Sequence, residues 1–87
     1  MSVMRVQIHR VSDWGVFIIE AFPSGHFLTR YVFRTFSPWM ASVCERAKAL
    51  DAAVEISYQE RIAHGKPYRM IETVALVQPA AAAEVAQ

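Results

Sequence analysis

The feature that most constrains this chain is a residue period that changes twice. From Met4 to Val11, the apolar residues Met4, Val6 and Ile8 alternate with Arg5, Gln7 and His9, the two-residue repeat of a half-buried strand. Val16 to Phe22 is a β-branched and aromatic run of strand length, and residues 26–36 (HFLTRYVFRTF) continue in strand-like composition. At Ser37-Pro38 the period switches. Serine is a good N-cap, proline suits the first helical position, and Met40, Val43, Ala47 and Leu50 recur at helical spacing, which predicts one helix over 38–50. Its other side carries Glu45, Arg46 and Lys48, so the helix covers a core with one stripe. Alternation resumes at Val54, Ile56, Tyr58 and Ile62. Tyr68 to Val77 reads as the last strand, with Ile71 and Val74 out of period and a bulge expected near Glu72-Thr73.

Turn residues punctuate this series. Ser12, Asp13 and Gly15 surround Trp14 between the first two strands, and His64-Gly65-Lys66-Pro67 separates the last two. Pro23-Ser24-Gly25 is expected to reverse the chain tightly and pair strand two with strand three. On strand three, Phe27, Thr29, Tyr31 and Phe33 fall on one face and Leu28, Arg30, Val32, Arg34 and Phe36 on the other. The expected organisation is one domain over residues 1–77, followed by an alanine-rich tail over 78–87 (QPAAAAEVAQ).

Composition narrows the function classes. With 54% hydrophobic residues in 87, the chain is not disordered, and it carries more apolar side chains than one small core hides, since a domain of this size buries only about 60% of its unfolded surface. The surplus implies a partner or self-association. A formal charge of +1 gives no global field, so any nucleic-acid affinity must come from local clustering. Cys44 is the one cysteine, which excludes an internal disulfide or a cysteine-based zinc site and fits a reducing, cytoplasmic setting. No stretch approaches the ~18 apolar residues of a membrane span, and Met1 to Arg10 contains no signal-like apolar segment.

The element order, three strands, a helix and two strands, resembles the oligonucleotide/oligosaccharide-binding (OB) fold across residues 3–77. The segment VEISYQERIAHGKPYRMIETVALV looks like the closing hairpin of many OB domains. The resemblance implies a mostly β, five-stranded Greek-key barrel with one helix. A split α+β sheet covered by one helix uses the same elements.

Two stretches concentrate cations and aromatic rings. Between Ala21 and Cys44 no acidic residue occurs, yet His26, Arg30 and Arg34 stand among six of the ten aromatic residues. A second acid-free stretch, Arg61 to Ile71, holds His64, Lys66, Tyr68 and Arg69. In an OB barrel, strands two and three and the loop between strands four and five border one face, so the resemblance implies that the stretches converge. Arginines for phosphates and rings on which bases stack are what single-stranded nucleic acid requires. The candidate binding set is Arg30, Arg34, Lys66 and Arg69 for phosphates, with Phe36, Trp14 and Tyr68 for stacking. Phe27, Tyr31 and Phe33 are expected in the core.

Enzyme readings find little support. His9, His26 and His64 are isolated, no glycine-rich phosphate loop occurs, Glu55 and Glu60 fall on opposite strand faces, and Cys44 suits a small buried hydrophobe. The expectation is a non-enzymatic protein without cofactor, metal or small-molecule substrate. It would bind single-stranded DNA, or RNA, with little sequence preference, resembling in scale the compact single-stranded DNA-binding proteins of replication systems, which act as homodimers or higher oligomers. The alternative is a β-barrel protein–protein interaction module, because arginine and aromatic residues also favour such interfaces.

Overall fold

A computed structural model describes residues 2–25 and 28–77. Five strands and one helix follow in the order β1 (Ser2–Asp13), β2 (Phe17–Pro23), β3 (Tyr31–Thr35), α1 (Pro38–Leu50), β4 (Ala53–Ala63) and β5 (Lys66–Val77). The strands form a closed ring in which the neighbours run β1-β2-β3-β5-β4 and β4 returns to β1. All pairings are antiparallel except β3 with β5.

Ring closure begins in β1. Its first half pairs with β4, from Ser2↔Tyr58 to Gln7↔Ala53, and its second half with β2, from Val6↔Pro23 to Asp13↔Phe17. The register slips between Ile8 and Arg10, leaving His9 as an extra residue, and such a bulge bends a strand so that it can serve two neighbours. The expected bulge in the last strand is present: Thr73 faces Ser57 and Ile71 faces Tyr58, so Glu72 is the inserted residue. This slip turns both Ile71 and Val74 into the core despite their broken alternation.

The core is built from the inward faces of the strands, with Val6, Ile19, Phe33, Val54 and Ile56 fully enclosed. Phe33 meets the ring of Tyr58 edge-on, with centroids 5.2 Å apart. Helix α1 begins as its sequence predicts: Ser37 caps it, its side-chain oxygen accepting from the Met40 N–H at 3.3 Å, and Pro38 is the first residue. Its buried stripe is Ala41, Cys44 and Ala47, rather than one running through Met40 and Leu50; Met40 and Val43 lie at the margin and Leu50 is exposed. Small side chains let the helix axis approach the sheet, which the wider expected stripe would prevent.

Strand three is shorter than its composition predicts. Residues 28–30 are not in a strand, Thr29 and Leu28 are exposed, and His26 and Phe27 lie outside the described residues, as does the tail over 78–87. Pro23-Ser24-Gly25 is correspondingly not a tight hairpin, because the last β2–β3 pair is Ala21↔Tyr31. The end of β2 is committed to β1, where Phe22 and Pro23 pair with Gln7 and Val6 and the Ser24 N–H donates to the Arg5 carbonyl. Pro23, unable to donate, cannot extend the β2–β3 ladder past Ala21↔Tyr31. In contrast, β4 and β5 are joined by a two-residue turn in which His64 (φ 52°) and Gly65 (φ 75°) both adopt the left-handed conformation that matches strand twist.

Burial pushes the Cys44 thiol up from its ordinary 9.0 to about 12. The fold therefore favours the protonated thiol. Its contribution to stability is complete below pH 9.0 and is lost as pH rises toward about 12, because the unfolded chain releases the proton first. A thiolate-directed reagent at about pH 8 is expected to label the native protein far more slowly than the denatured chain. Equal labelling rates would overturn this account of Cys44. Among the described residues, no helix is long and apolar enough to cross a membrane.

Candidate functional site

The parallel seam between β3 and β5 joins the two halves of the chain through Phe33↔Arg69 and Arg34↔Met70. Because strand faces alternate, Phe33 turns inward while Val32 and Arg34 turn out. Two cation–ring pairs straddle the seam, one on each face of the sheet: Arg34 with Tyr68 outside, and Arg69 with Tyr31 on the inward side shared with Phe33. The Arg34 guanidinium lies over Tyr68, 4.9 Å from the ring centroid, and that of Arg69 lies over Tyr31 at 4.8 Å. Each pair takes one member from either acid-free stretch. For Arg34, on the exposed face, such a contact stabilises by about 0.5–1 kcal/mol, enough to hold a flexible arginine in place while its planar N–H edge stays available to an acceptor. Arg61 is the cross-strand partner of Tyr68 and adds a further cation beside the same ring, its guanidinium donating to Gln59 Oε1 at 3.3 Å.

The other proposed residues are distributed around this centre. Arg30 stands just before β3 and forms an ion pair with Glu20 at 3.2 Å, and the second carboxylate oxygen of Glu20 lies 3.9 Å from Arg10 Nε. A carboxylate thus sits between two of the outer arginines. Glu20 is only 16% exposed, so this carboxylate holds Arg30 from the less exposed side while the guanidinium itself stays half exposed. Trp14, 78% exposed, occupies the β1–β2 turn, and Phe36, 68% exposed, follows β3. The pair Phe17↔Thr35 brings that turn to the end of β3 where Phe36 lies. Trp39, at the start of α1, is also exposed there. Lys66 lies at the opposite end, at the start of β5 just after the β4–β5 turn. Arg34 and Tyr68 therefore come together on the outer face, with Arg69 behind them on the inward side, while Trp14 and Phe36 mark one end of the ring and Lys66 the other.

Beyond Tyr58 and Arg69, β4 and β5 pair only with each other, out to Ala63↔Lys66, and project from the ring as a two-stranded arm. At its root Glu60, Pro67, Tyr68 and Arg69 line a shallow cavity. A second groove, under the first half of α1, is lined by Val11, Phe17, Pro38, Ala41, Ser42 and Glu45. Among the described residues, no group of three or more histidine, cysteine or acidic side chains could hold a metal ion.

Sequence reasoning missed Tyr31 as a partner of Arg69, having assigned it to the core; it is half-buried and serves both. It also missed Glu60 opposite Arg69, because cross-strand register is not visible in local pattern, whereas Glu20 stands beside Arg30 as the interaction-module alternative expects. Comparison with known protein families, curated proteins and solved structures returns no match.

Proposed function

We propose that this chain is a non-enzymatic, OB-type domain that binds single-stranded nucleic acid, DNA in preference to RNA, with little overall sequence preference, and that it works as an oligomer. The reading of a Greek-key barrel is supported by the strand order β1-β2-β3-β5-β4, with antiparallel β1–β4 and parallel β3–β5 pairings. The observation that carries the functional reading is the Arg34–Tyr68 cation–ring pair on the outer face of the β3–β5 seam, which the Arg69–Tyr31 pair backs on the inward face. A strand crossing the outer face of this seam meets the Arg34 guanidinium for a phosphate with the Tyr68 ring beside it, and exposed Phe36 and Trp14 supply stacking faces.

The second reading, a protein–protein interaction module, is favoured by Glu20, whose carboxylate pairs with Arg30, and by Trp14, Phe36 and Trp39 exposed at one end of the ring. Titration of the intrinsic fluorescence of Trp14 and Trp39 separates the two. Oligo-dT is expected to quench it, duplex DNA far less, and the affinity should fall steeply between about 50 and 200 mM salt. Absence of any response at the lower salt would sink the nucleic-acid reading and transfer the aromatic surface to a protein partner.

A further inference from the structure

Glu60 and Arg69 are directly opposite one another on β4 and β5, where oppositely charged side chains ordinarily pair. Here they do not. The ion pairs among the described residues are Arg5–Glu55, Arg10–Glu20 and Arg30–Glu20, while the Arg69 guanidinium is drawn over Tyr31. Arg69 Nε is also shielded from solvent with no hydrogen-bond partner, so this cation is held in place by the ring and its surroundings. The consequence is a carboxylate and a guanidinium set side by side, with their hydrogen-bonding edges uncommitted to each other, in the cavity that Pro67 and Tyr68 complete.

We propose that this cavity receives one guanine base of a bound single strand, with Glu60 reading its Watson–Crick edge. The proposal rests on the nucleic-acid reading given above. A carboxylate offers two adjacent acceptors. Guanine alone among the four DNA bases places two donors, N1–H and N2–H, next to each other, and beside them is O6, an acceptor that suits a neighbouring guanidinium. Glu60 followed by Arg69 presents the complementary order of acceptor, acceptor and donor. Thymine sets one donor between two carbonyl oxygens, which a carboxylate repels. Cytosine and adenine each offer a single exocyclic amino group beside a ring-nitrogen acceptor. Phosphate contacts and stacking act on any sequence, so base preference is confined to this one position.

The test is anisotropy titration of labelled oligonucleotides of about 12 nucleotides, oligo-dT against the same strand carrying adjacent central guanines, inosines or adenines. The guanine strand is expected to bind about tenfold more tightly than oligo-dT, with the gain reduced by inosine, which lacks the N2 donor, and absent with adenine. In the Glu60→Gln variant, one acceptor becomes a donor, and the guanine-to-thymine affinity ratio should fall close to one. Equal affinity of the wild type for the guanine and thymine strands overturns the guanine site and leaves the general binding reading intact. A gain with adenine equal to that with guanine overturns edge reading in favour of purine stacking. A guanine preference that survives in Glu60→Gln removes Glu60 as the reader, and failure of every strand to bind overturns both readings together.

Discussion

Replacing Phe33 by alanine is expected to destabilise the protein by about 3–5 kcal/mol, the range for deleting a large aromatic side chain from an enclosed site. Phe33 is the largest fully buried side chain, it abuts the Tyr58 ring, and its backbone forms half of the β3–β5 seam. The loss combines the removed apolar transfer energy with a cavity that the ring cannot close without breaking strand register. Domains of this size have only about 5–15 kcal/mol in total, so the variant should unfold at a much lower urea concentration. Urea titration followed by circular dichroism gives the answer. A change below about 1 kcal/mol would show that the ring repacks freely, contrary to the rigid core described here.

The second large effect concerns binding. Joint replacement of Arg34 and Tyr68 by alanine removes one complete cation–ring pair from the outer face without touching the enclosed core. Losing a stacking platform costs about 1–3 kcal/mol per base, and losing a phosphate contact lowers the slope of log affinity against log salt by about 0.7 for a single strand. The double variant is therefore expected to bind every single-stranded sequence at least about tenfold more weakly, with a shallower salt dependence and an unchanged circular dichroism spectrum. Wild-type affinity in a folded double variant would remove this pair from the binding surface.

The order of elements was readable because local pattern and global placement agree at each of them. Ser37-Pro38 starts the helix through a cap that needs no tertiary help, and the broken alternation at Ile71 and Val74 signals a bulge because one extra residue inverts every later side chain. Agreement fails where tertiary pairing overrides propensity. Residues 28–30 look like strand, but the β2–β3 ladder ends at Ala21↔Tyr31 and gives them no partner. The helix stripe was misjudged for a related reason: hydrophobic size suggested Met40 and Leu50, whereas the close approach of the helix selects Ala41, Cys44 and Ala47. Concentration of arginine and aromatic residues in two acid-free stretches was visible along the chain. Which ring each guanidinium covers depends on a parallel seam between segments far apart in sequence, and the carboxylates beside them depend on the register of the β2–β3 and β4–β5 pairs, which no local signal encodes.

The seam is also the shortest junction in the ring: two residue pairs fasten β3 to β5, whereas β4 and β5 share a long ladder. A loop of sheet fastened at so few points behaves like a bracelet with a small clasp. Opening the clasp leaves the five strands joined as one curved sheet, so it is the least demanding large distortion available to the molecule. Closing it requires β3 to find β5 across the intervening helix and β4, a long excursion of chain that belongs late in folding. Any ligand that lies across both strands at Arg34 and Tyr68 acts as a bridge over the clasp and would tighten the circle that the backbone alone holds loosely.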